Sequence, residues 1–476
     1  MSPVFDEAKY RALLEKLEVS EVKISDIDES LRIDSSFYTG ILCRYSKKIS
    51  SITHTYFRNE IFKASKGIFD IKADQYCSVG IPFVRIGNLT NMQIDLSEII
   101  YIPIEINAIH KTSALSFGDI IISKTAIPAA SIVTLPQCNT SQDTIAIQLK
   151  KEATINSFYT VAYLNSRYGL ALMENLFTGN IQKHFNLSDC KDKLPIPIFS
   201  TKLQNAIKVD MENGINRNER AKAVYIEAEQ MLLQELGLTD WQPDDESVAT
   251  KTFADFQNSG RLDAEYYQPK YEAIAEKLLQ YSNGTVSCEN ILVNAMTKLT
   301  DGTQYCYLEL ADIGKSGEIN SCSLDVAENL PSRARQKVKT NDVIVSSVEG
   351  SLASCALITE EYNNAICSTG FHILRSTEIN PETLLLLMKS SPVQALLKQG
   401  CSGTILTAIL PDALKAIKLP LIRKEVQTEL AAKVRESFAL RKESKRLLDL
   451  AKHAVEVAIE QGEDVAMKLL ERSKDA

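Results

Sequence analysis

The chain says the same thing twice, in the same order. Arg32, Ile33 and Asp34 return as Arg261, Leu262 and Asp263, and an aromatic pair follows each copy, Phe37-Tyr38 and Tyr266-Tyr267. Further on, Phe117-Gly118-Asp119-Ile120-Ile121-Ile122-Ser123 returns as Thr340-Asn341-Asp342-Val343-Ile344-Val345-Ser346. Later still, Leu194-Pro195-Ile196-Pro197-Ile198 is echoed by Leu419-Pro420-Leu421-Ile422. The separation is 229 residues from Arg32 to Arg261, 223 from Phe117 to Thr340 and 225 from Leu194 to Leu419. A period near half of the 476 residues is far too long for a solenoid unit, so it implies two domains of about 200 residues each. Two copies of one module imply two similar sites.

Composition supports two ordinary cores, with 45% hydrophobic and 24% charged residues. Apolar runs such as 384–388 fall far short of the roughly 20 residues that span a bilayer, and Asp6 and Glu7 replace the basic, apolar start of a signal sequence. The expected location is the cytoplasm, with no membrane partner. Ten cysteines are scattered without a Cys-x-x-Cys pair, and five histidines do not cluster with them. The expectation is therefore free thiols, with neither a zinc site nor a disulfide framework. Net charge is −8, which is not the balance of a protein that grips phosphates unaided. Local basic runs exist at Arg44, Lys47 and Lys48 and at Arg333, Arg335, Lys337 and Lys339, each equally readable as a solvated surface.

Short β-branched runs at 99–103, 119–123, 131–135 and 144–149, flanked by Pro, Gly or Asn, read as strands. Helical spacing takes over at 156–176 and again at 200–236, where Ala221, Tyr225, Ala228 and Leu232 fall on one face. From 423 to 461, Leu440, Ser444, Leu447, Ala451, Ala454 and Ala458 alternate four and three residues apart, the pattern of a coiled-coil seam. Small residues on that seam allow close approach, so the two long helices are expected to pair; packing of each on its own domain is the alternative. The acidic, Pro-containing stretch 239–250 reads as a linker. The expected class is α+β: two repeated α/β domains joined by long helices in an antiparallel coiled coil. Residues 1–198 form an N-terminal helix and the first domain, 199–246 the first long helix and linker, 247–420 the second domain, and 421–476 the second long helix and tail.

Three stretches make the chain resemble the specificity subunit of a Type I restriction-modification system. They are Arg261-Leu262-Asp263-Ala264-Glu265-Tyr266-Tyr267-Gln268-Pro269-Lys270-Tyr271, Tyr163-Leu164-Asn165-Ser166 followed by Thr178-Gly179-Asn180-Ile181-Gln182-Lys183, and the proline-rich close of each half before a long helix. Leu236, Gly237, Leu238 and Trp241 after the first long helix also fit, and the likeness spans nearly the whole chain. A helix over about 5–17 and the signature at 32–38 replace the more usual short opening, as in variants that serve a fused or atypical methyltransferase. The resemblance implies a non-catalytic reader: two target-recognition domains, each taking half of a bipartite DNA target, with helices that set the spacer. It also implies partners, namely double-stranded DNA, two adenine DNA methyltransferase subunits carrying S-adenosylmethionine, and in some systems a restriction or translocase subunit. The residues agree on the missing chemistry. No Asn-Pro-Pro-Tyr or Asp-Pro-Pro-Tyr run, no cofactor-binding Gly-rich loop and no phosphate-binding Gly-x-x-x-x-Gly-Lys-Ser/Thr loop is present, so no catalytic residue, cofactor or metal is assigned to this chain.

A reader needs Arg or Lys for guanine, Asn or Gln for adenine, and hydroxyls for phosphates, all on loops over a rigid frame. In the first half the candidates are Arg85 and Asn88, then Lys124 and Thr125, then Asn180, Gln182, Lys183 and His184. In the second they are Lys298, Ser347, Glu349, Ser402 and Thr404, with Arg333, Arg335 and Lys337 as phosphate contacts. Arg32/Asp34 and Arg261/Asp263 read as structural ion pairs or helix-start signals. His184 reads equally as a partly buried structural residue. Other classes stay open: a duplicated nuclease or methyltransferase, a coiled-coil adaptor that reads no bases, or the specificity subunit of a Type IIB-like methyltransferase-nuclease or another phage-defence system.

Overall fold

The computed structural model describes residues 37–90, 92–179, 183–243, 248–403 and 407–472. The expected helix over 5–17 and the pair Arg32/Asp34 lie outside them. The chain divides into two compact units, Met1–Arg217 with Glu443–Ala476, and Asn218–Lys442.

In the first unit the strands are β1 (Ile61–Lys66), β2 (Ile81–Val84), β3 (Ile100–Ile102), β4 (Ile120–Ser123), β5 (Ala130–Ile132), β6 (Asn139–Thr140) and β7 (Thr144–Leu149). They form one sheet of order β1-β7-β4-β5 and another of order β3-β2-β6, in which β2 runs antiparallel to β3 and parallel to β6. The run Ile120-Ile121-Ile122 does not alternate because both its faces are covered. Ile120 and Ile122 enter the main core beneath the helices, and Ile121 packs with Val84, Ile94 and Val133 on the other side. Just before β4, Gly118 takes φ +89°, a left-handed conformation that suits glycine. Asp119 then closes the turn, its carboxylate accepting from Ser116 N at 2.7 Å and from Gln148 Nε2 at 2.7 Å. After β4, Ser123 Oγ donates to Ile127 O and accepts from Ala129 N, which fixes the following loop.

The single helix expected over 156–176 is two, α1 (Ser157–Leu164) and α2 (Arg167–Leu176). Asn165 Nδ2 folds back onto Val161 O at 2.8 Å, while Ser166 caps α2 by accepting from Gly169 N. A Cβ at Gly169 would stand 2.2 Å from Tyr163 O, so the corner requires glycine.

In the second unit the strands are β8 (Leu292–Val293), β9 (Gln304–Leu308), β10 (Ser323–Val326), β11 (Ala334–Lys337), β12 (Val343–Ser346), β13 (Cys355–Leu357), β14 (Ile366–Ser368) and β15 (Phe371–Leu374). The sheets read β8-β15-β12-β13 and β10-β9-β14-β11. The first has the strand order of its counterpart; the second repeats β3-β2-β6 as β10-β9-β14 and gains β11 at an edge. The turn before β12 uses Asn341 at φ +72°, and Asp342 accepts from Lys339 N. Asn380 caps α4 (Pro381–Lys389), which leads into α5 (Ser391–Gln399), and the apolar run 384–388 is wholly buried in this unit's core.

Two long helices, α3 (Thr201–Glu235) and α6 (Lys424–Gln461), contribute to both units, because the boundaries 217/218 and 442/443 fall inside them. In the first unit Leu203, Ile207, Met211 and Ile215 of α3 share a core with Leu448, Ala451, Ala454 and Ala458 of α6. Gly214 lets the two approach, since a Cβ there would meet Leu448 Cγ at 3.1 Å and Ser444 O at 3.2 Å. In the second unit Tyr225, Ala228 and Leu232 pack with Val426, Leu430 and Val434, and Ser437 Oγ donates to Ala221 O at 2.8 Å. Of the residues read as a seam, Ala221, Tyr225, Ala228, Leu232, Leu447, Ala451, Ala454 and Ala458 are buried, whereas Leu440 is half-buried.

The cysteines are not all free thiols, contrary to expectation. Cys306 and Cys322 are joined as a disulfide, with Cα atoms 5.6 Å apart. A separation of 16 residues gave no motif to read, but the antiparallel hairpin of β9 and β10 returns the chain beside itself. The other eight cysteines are free, six of them buried. Among the described residues no helix is long and apolar enough to cross a membrane.

Candidate nucleic-acid interface

In the first unit the loop that leaves β4 is held against a second loop, the short hairpin of Phe177–Thr178 and His184–Phe185. Thr125 bridges His184, and Phe185 N donates to Lys124 O at 2.8 Å. Phe177 and Phe185 stack with centroids 5.4 Å apart, which anchors the hairpin base in the core. Lys124, Thr125, Lys183 and His184 are therefore brought together. Lys183 is exposed and lies 4.0 Å from Glu174, while Lys124 Nζ reaches Gln142 O. His184 is half-buried, and its Nδ1 meets no hydrogen-bond partner among the described residues. Asn180 and Gln182 lie outside the described residues.

Arg85 and Asn88 belong to the other sheet, on the turn that follows β2. Arg85 is exposed, with Nη2 3.4 Å from Glu98 O. Asn88 is buried; its Oδ1 accepts from Arg85 N at 2.9 Å and its Nδ2 donates to Asp95 O at 3.0 Å. The amide shapes its own loop, so Asn88 positions Arg85 and is not itself presented.

The second unit has the same paired loops. Ile409 N donates to Ser347 O at 2.8 Å, Glu349 N to Thr407 O at 3.0 Å, and Thr407 Oγ1 to the Glu349 carboxylate. Ser347, Glu349 and Ser402 thus gather at one rim; Thr404 lies outside the described residues. Ser347 Oγ is engaged by Gly370 O. His372, absent from the sequence reading, supports this rim from below through Nε2 and Ile409 O, and burial lowers its pKa.

The basic residues of the second unit gather elsewhere, along the edge strand β11. Thr297 N donates to Arg335 O and Lys337 N to Ala295 O, which lays the segment bearing Lys298 alongside β11. Ala334 and Gln336 point inward, so Lys298, Arg335 and Lys337 are all exposed. Arg333, just before the strand, is held: Nε donates to Tyr307 OH at 3.2 Å and Nη2 to Glu309 Oε1 at 2.8 Å. This hydrogen bond is the main reason the Glu309 carboxyl sits below its ordinary range and the Arg333 guanidinium above its own. The sequence reading missed Tyr307 and Glu309, although Tyr305, Tyr307 and Glu309 fall two apart as one strand face would place them.

Arg261 pairs with Asp263 at 2.6 Å, donates to Cys401 O at 2.8 Å and lies over Tyr266. These contacts give the second copy of the signature a structural role, tying it to the start of the 401–402 strand.

No family model matches the chain, and no curated protein matches it in sequence. Among solved structures, the Type I restriction-modification S subunit from M. genitalium is similar at 12% identity and TM-score 0.41, over 88% of this chain and 95% of that one. An HsdS subunit from Thermoanaerobacter tengcongensis is similar at 13% identity and TM-score 0.27, over 86% and 97%. A chain from a study of the assembly and conformational transition of a type I restriction-modification system is similar at 14% identity and TM-score 0.26, over 84% and 97%.

Proposed function

We propose that the chain is the non-catalytic, sequence-reading specificity subunit of a restriction-modification system, in which each unit reads one half of a bipartite duplex target. The observation that carries this reading is the duplication with a changed rim. One strand order, β1-β7-β4-β5 and β8-β15-β12-β13, supports paired loops that present Lys124, Lys183 and His184 in one unit, with the expected contact Thr125 buried beneath them, but Ser347, Glu349 and Ser402 in the other. A kept frame with altered polar tips suits two different half-sites. In this proposal α3 and α6 form an antiparallel coiled coil that sets the spacer and carries two adenine methyltransferase subunits, which hold S-adenosylmethionine. Partners that share the phosphate contacts account for a reader with net charge −8.

The test is a domain exchange. Residues 30–198 are replaced by the matching domain of a relative, and methylation is mapped across the host genome. One half of the modified motif changes and the other stays; a change in both halves or in neither ends the two-reader model. The spacer is tested by matched four-residue insertions at 217/218 and 442/443, each adding about 6 Å of helix. The gap between half-sites then grows by one or two base pairs, at about 3.4 Å per pair, with both half-sites unaltered.

A further inference from the structure

Arg333 stands apart from the other basic residues on its edge. Two of its nitrogens are engaged on one side of the guanidinium, Nε by Tyr307 OH and Nη2 by Glu309. Its side chain is nevertheless 58% exposed. A guanidinium has five N–H donors, and those two bonds occupy the side fork. The end fork, made of Nη1 and the second hydrogen of Nη2, meets no partner among the described residues.

The platform beneath is rigid. Tyr307 is buried and packs with Ala334 and Ile366, with Leu299, Tyr305 and Leu330 around them. Tyr307 is anchored by the parallel pairing of β9 with β14, Glu309 by its own N–H, which donates to Asp312 Oδ2 at 2.8 Å, and Arg333 by Thr369 N, which donates to Arg333 O at 2.9 Å. Side-chain entropy is therefore already reduced before any ligand arrives.

Charge decides what such a group suits. Arg335 and Lys337 are exposed, meet no carboxylate partner among the described residues, and suit phosphates. Arg333 is neutralised by Glu309, so its attraction to a phosphate is weakened, while its hydrogen-bonding geometry is sharpened. A fixed, planar, two-pronged donor matches the O6 and N7 acceptors of guanine in the major groove.

We propose that Arg333, held by Tyr307 and Glu309, reads a guanine edge in the half-site of the second unit, whereas Arg335 and Lys337 bind the adjoining phosphates. The assignment rests on the DNA-reading function proposed above, and Tyr307 and Glu309 act as positioning residues.

The experiment uses the full-length chain in its tagged, copurified complex and a pool of random-sequence duplex DNA. The wild-type complex enriches a bipartite motif with a guanine in one half. Arg333→Lys keeps the charge but loses the planar fork, and discrimination at that one guanine falls roughly 5- to 150-fold with every other position unchanged. Glu309→Gln and Tyr307→Phe relax the same position. Arg333→Gln leaves the dependence of affinity on salt near the wild-type slope, whereas Arg335→Gln lowers that slope by about 0.9. The assignment is overturned if Arg333→Lys and Arg333→Gln leave the motif intact, or if Arg333→Gln weakens all sequences alike and lowers the slope by about 0.9. A wild-type complex that enriches no motif overturns the DNA-reading function itself, an outcome separate from the first two.

Discussion

The two units use the same backbone and close it with different side chains. In the first, half-buried in the turn before β4, Asp119 is met by the neutral amide of Gln148; in the second, fully buried Asp342 is met by the guanidinium of Arg375 through bonds of 2.6 and 2.9 Å. A second pair shows the same contrast. Met92 and Gly317 both adopt positive φ, +61° and +85°, and both offer a carbonyl to the end of the neighbouring strand, to Ile132 N and Leu357 N respectively. Met92 fills the main core with its own side chain. At Gly317 the space belongs to Leu385, whose methyl carbons would stand 2.7 Å from a Cβ, and Arg441 reaches the flanking Ser316 and Glu318 instead. The backbone path is thus the fixed quantity, and the group that fills or neutralises it is exchangeable only together with its neighbours.

That view is most exposed at the buried acid. Asp342→Ala removes a fully buried carboxylate with its bonds from Lys339 N and from Arg375, which at 39% exposure is left to water, and destabilises the second unit by about 3 kcal/mol. Asp119→Ala removes bonds that a half-buried carboxylate accepts from neutral donors and costs about 1–2 kcal/mol in the first unit. Hydrogen exchange read by mass spectrometry assigns each loss to its unit, and equal losses would break the contrast. Next come the turn tips. Gly317→Met forces a side chain onto fully buried Leu385 and costs about 2–3 kcal/mol by overpacking. Met92→Gly opens a cavity worth about 2–3 kcal/mol, of which about 1 is returned by relief of the left-handed backbone. Thermal unfolding of both variants checks the order.

The smallest effect is a difference in acid sensitivity. In the second unit Glu235, at the end of α3, accepts from Arg423 and Tyr281 and clasps the start of α6. In the first unit the matching clasp is Glu463 on Ser200 N. The Arg423 hydrogen bond holds the Glu235 carboxyl below its usual 4.5. A depressed carboxyl stabilises the fold above that value, and the contribution fades as pH falls through 4.5 toward the folded-state value. Glu235→Gln should therefore flatten the acid limb of stability by under about 1 kcal/mol while leaving stability at pH 7 lower than wild type by a similar amount. Denaturant melts between pH 7 and pH 4 measure this.

Much of the frame was legible because burial writes long, ordered patterns. The runs expected at 119–123 and 144–149 are β4 and β7 within a residue, and the helices expected at 200–236 and 423–461 are Thr201–Glu235 and Lys424–Gln461. The corner at Asn165 and Ser166 was missed because apolar spacing carries across it. Single polar residues with matched duties were also missed. Gln204 accepts from Asn156 N and Gln427 from Asn380 N, each tying the start of a long helix to the cap of the shorter helix it packs against, yet one buried glutamine in a charged sequence gives no periodicity to notice. The rim was less legible still. Asn88 looked presented because Asn is common at base edges, but its amide closes its own turn. Arg333 looked like one of a basic run until Glu309, 24 residues earlier, was placed beside it.

The boundaries inside α3 and α6 set an order of completion during synthesis. The second unit is continuous in sequence, Asn218–Lys442, and holds everything its core needs once those residues have emerged. The first unit starts earlier but finishes later, since Leu448, Ala451, Ala454, Val455 and Ala458 complete the core around Leu203 and Ile207. Its helical face stays uncovered while more than two hundred further residues are translated. On the ribosome, the half made first is the half that folds last.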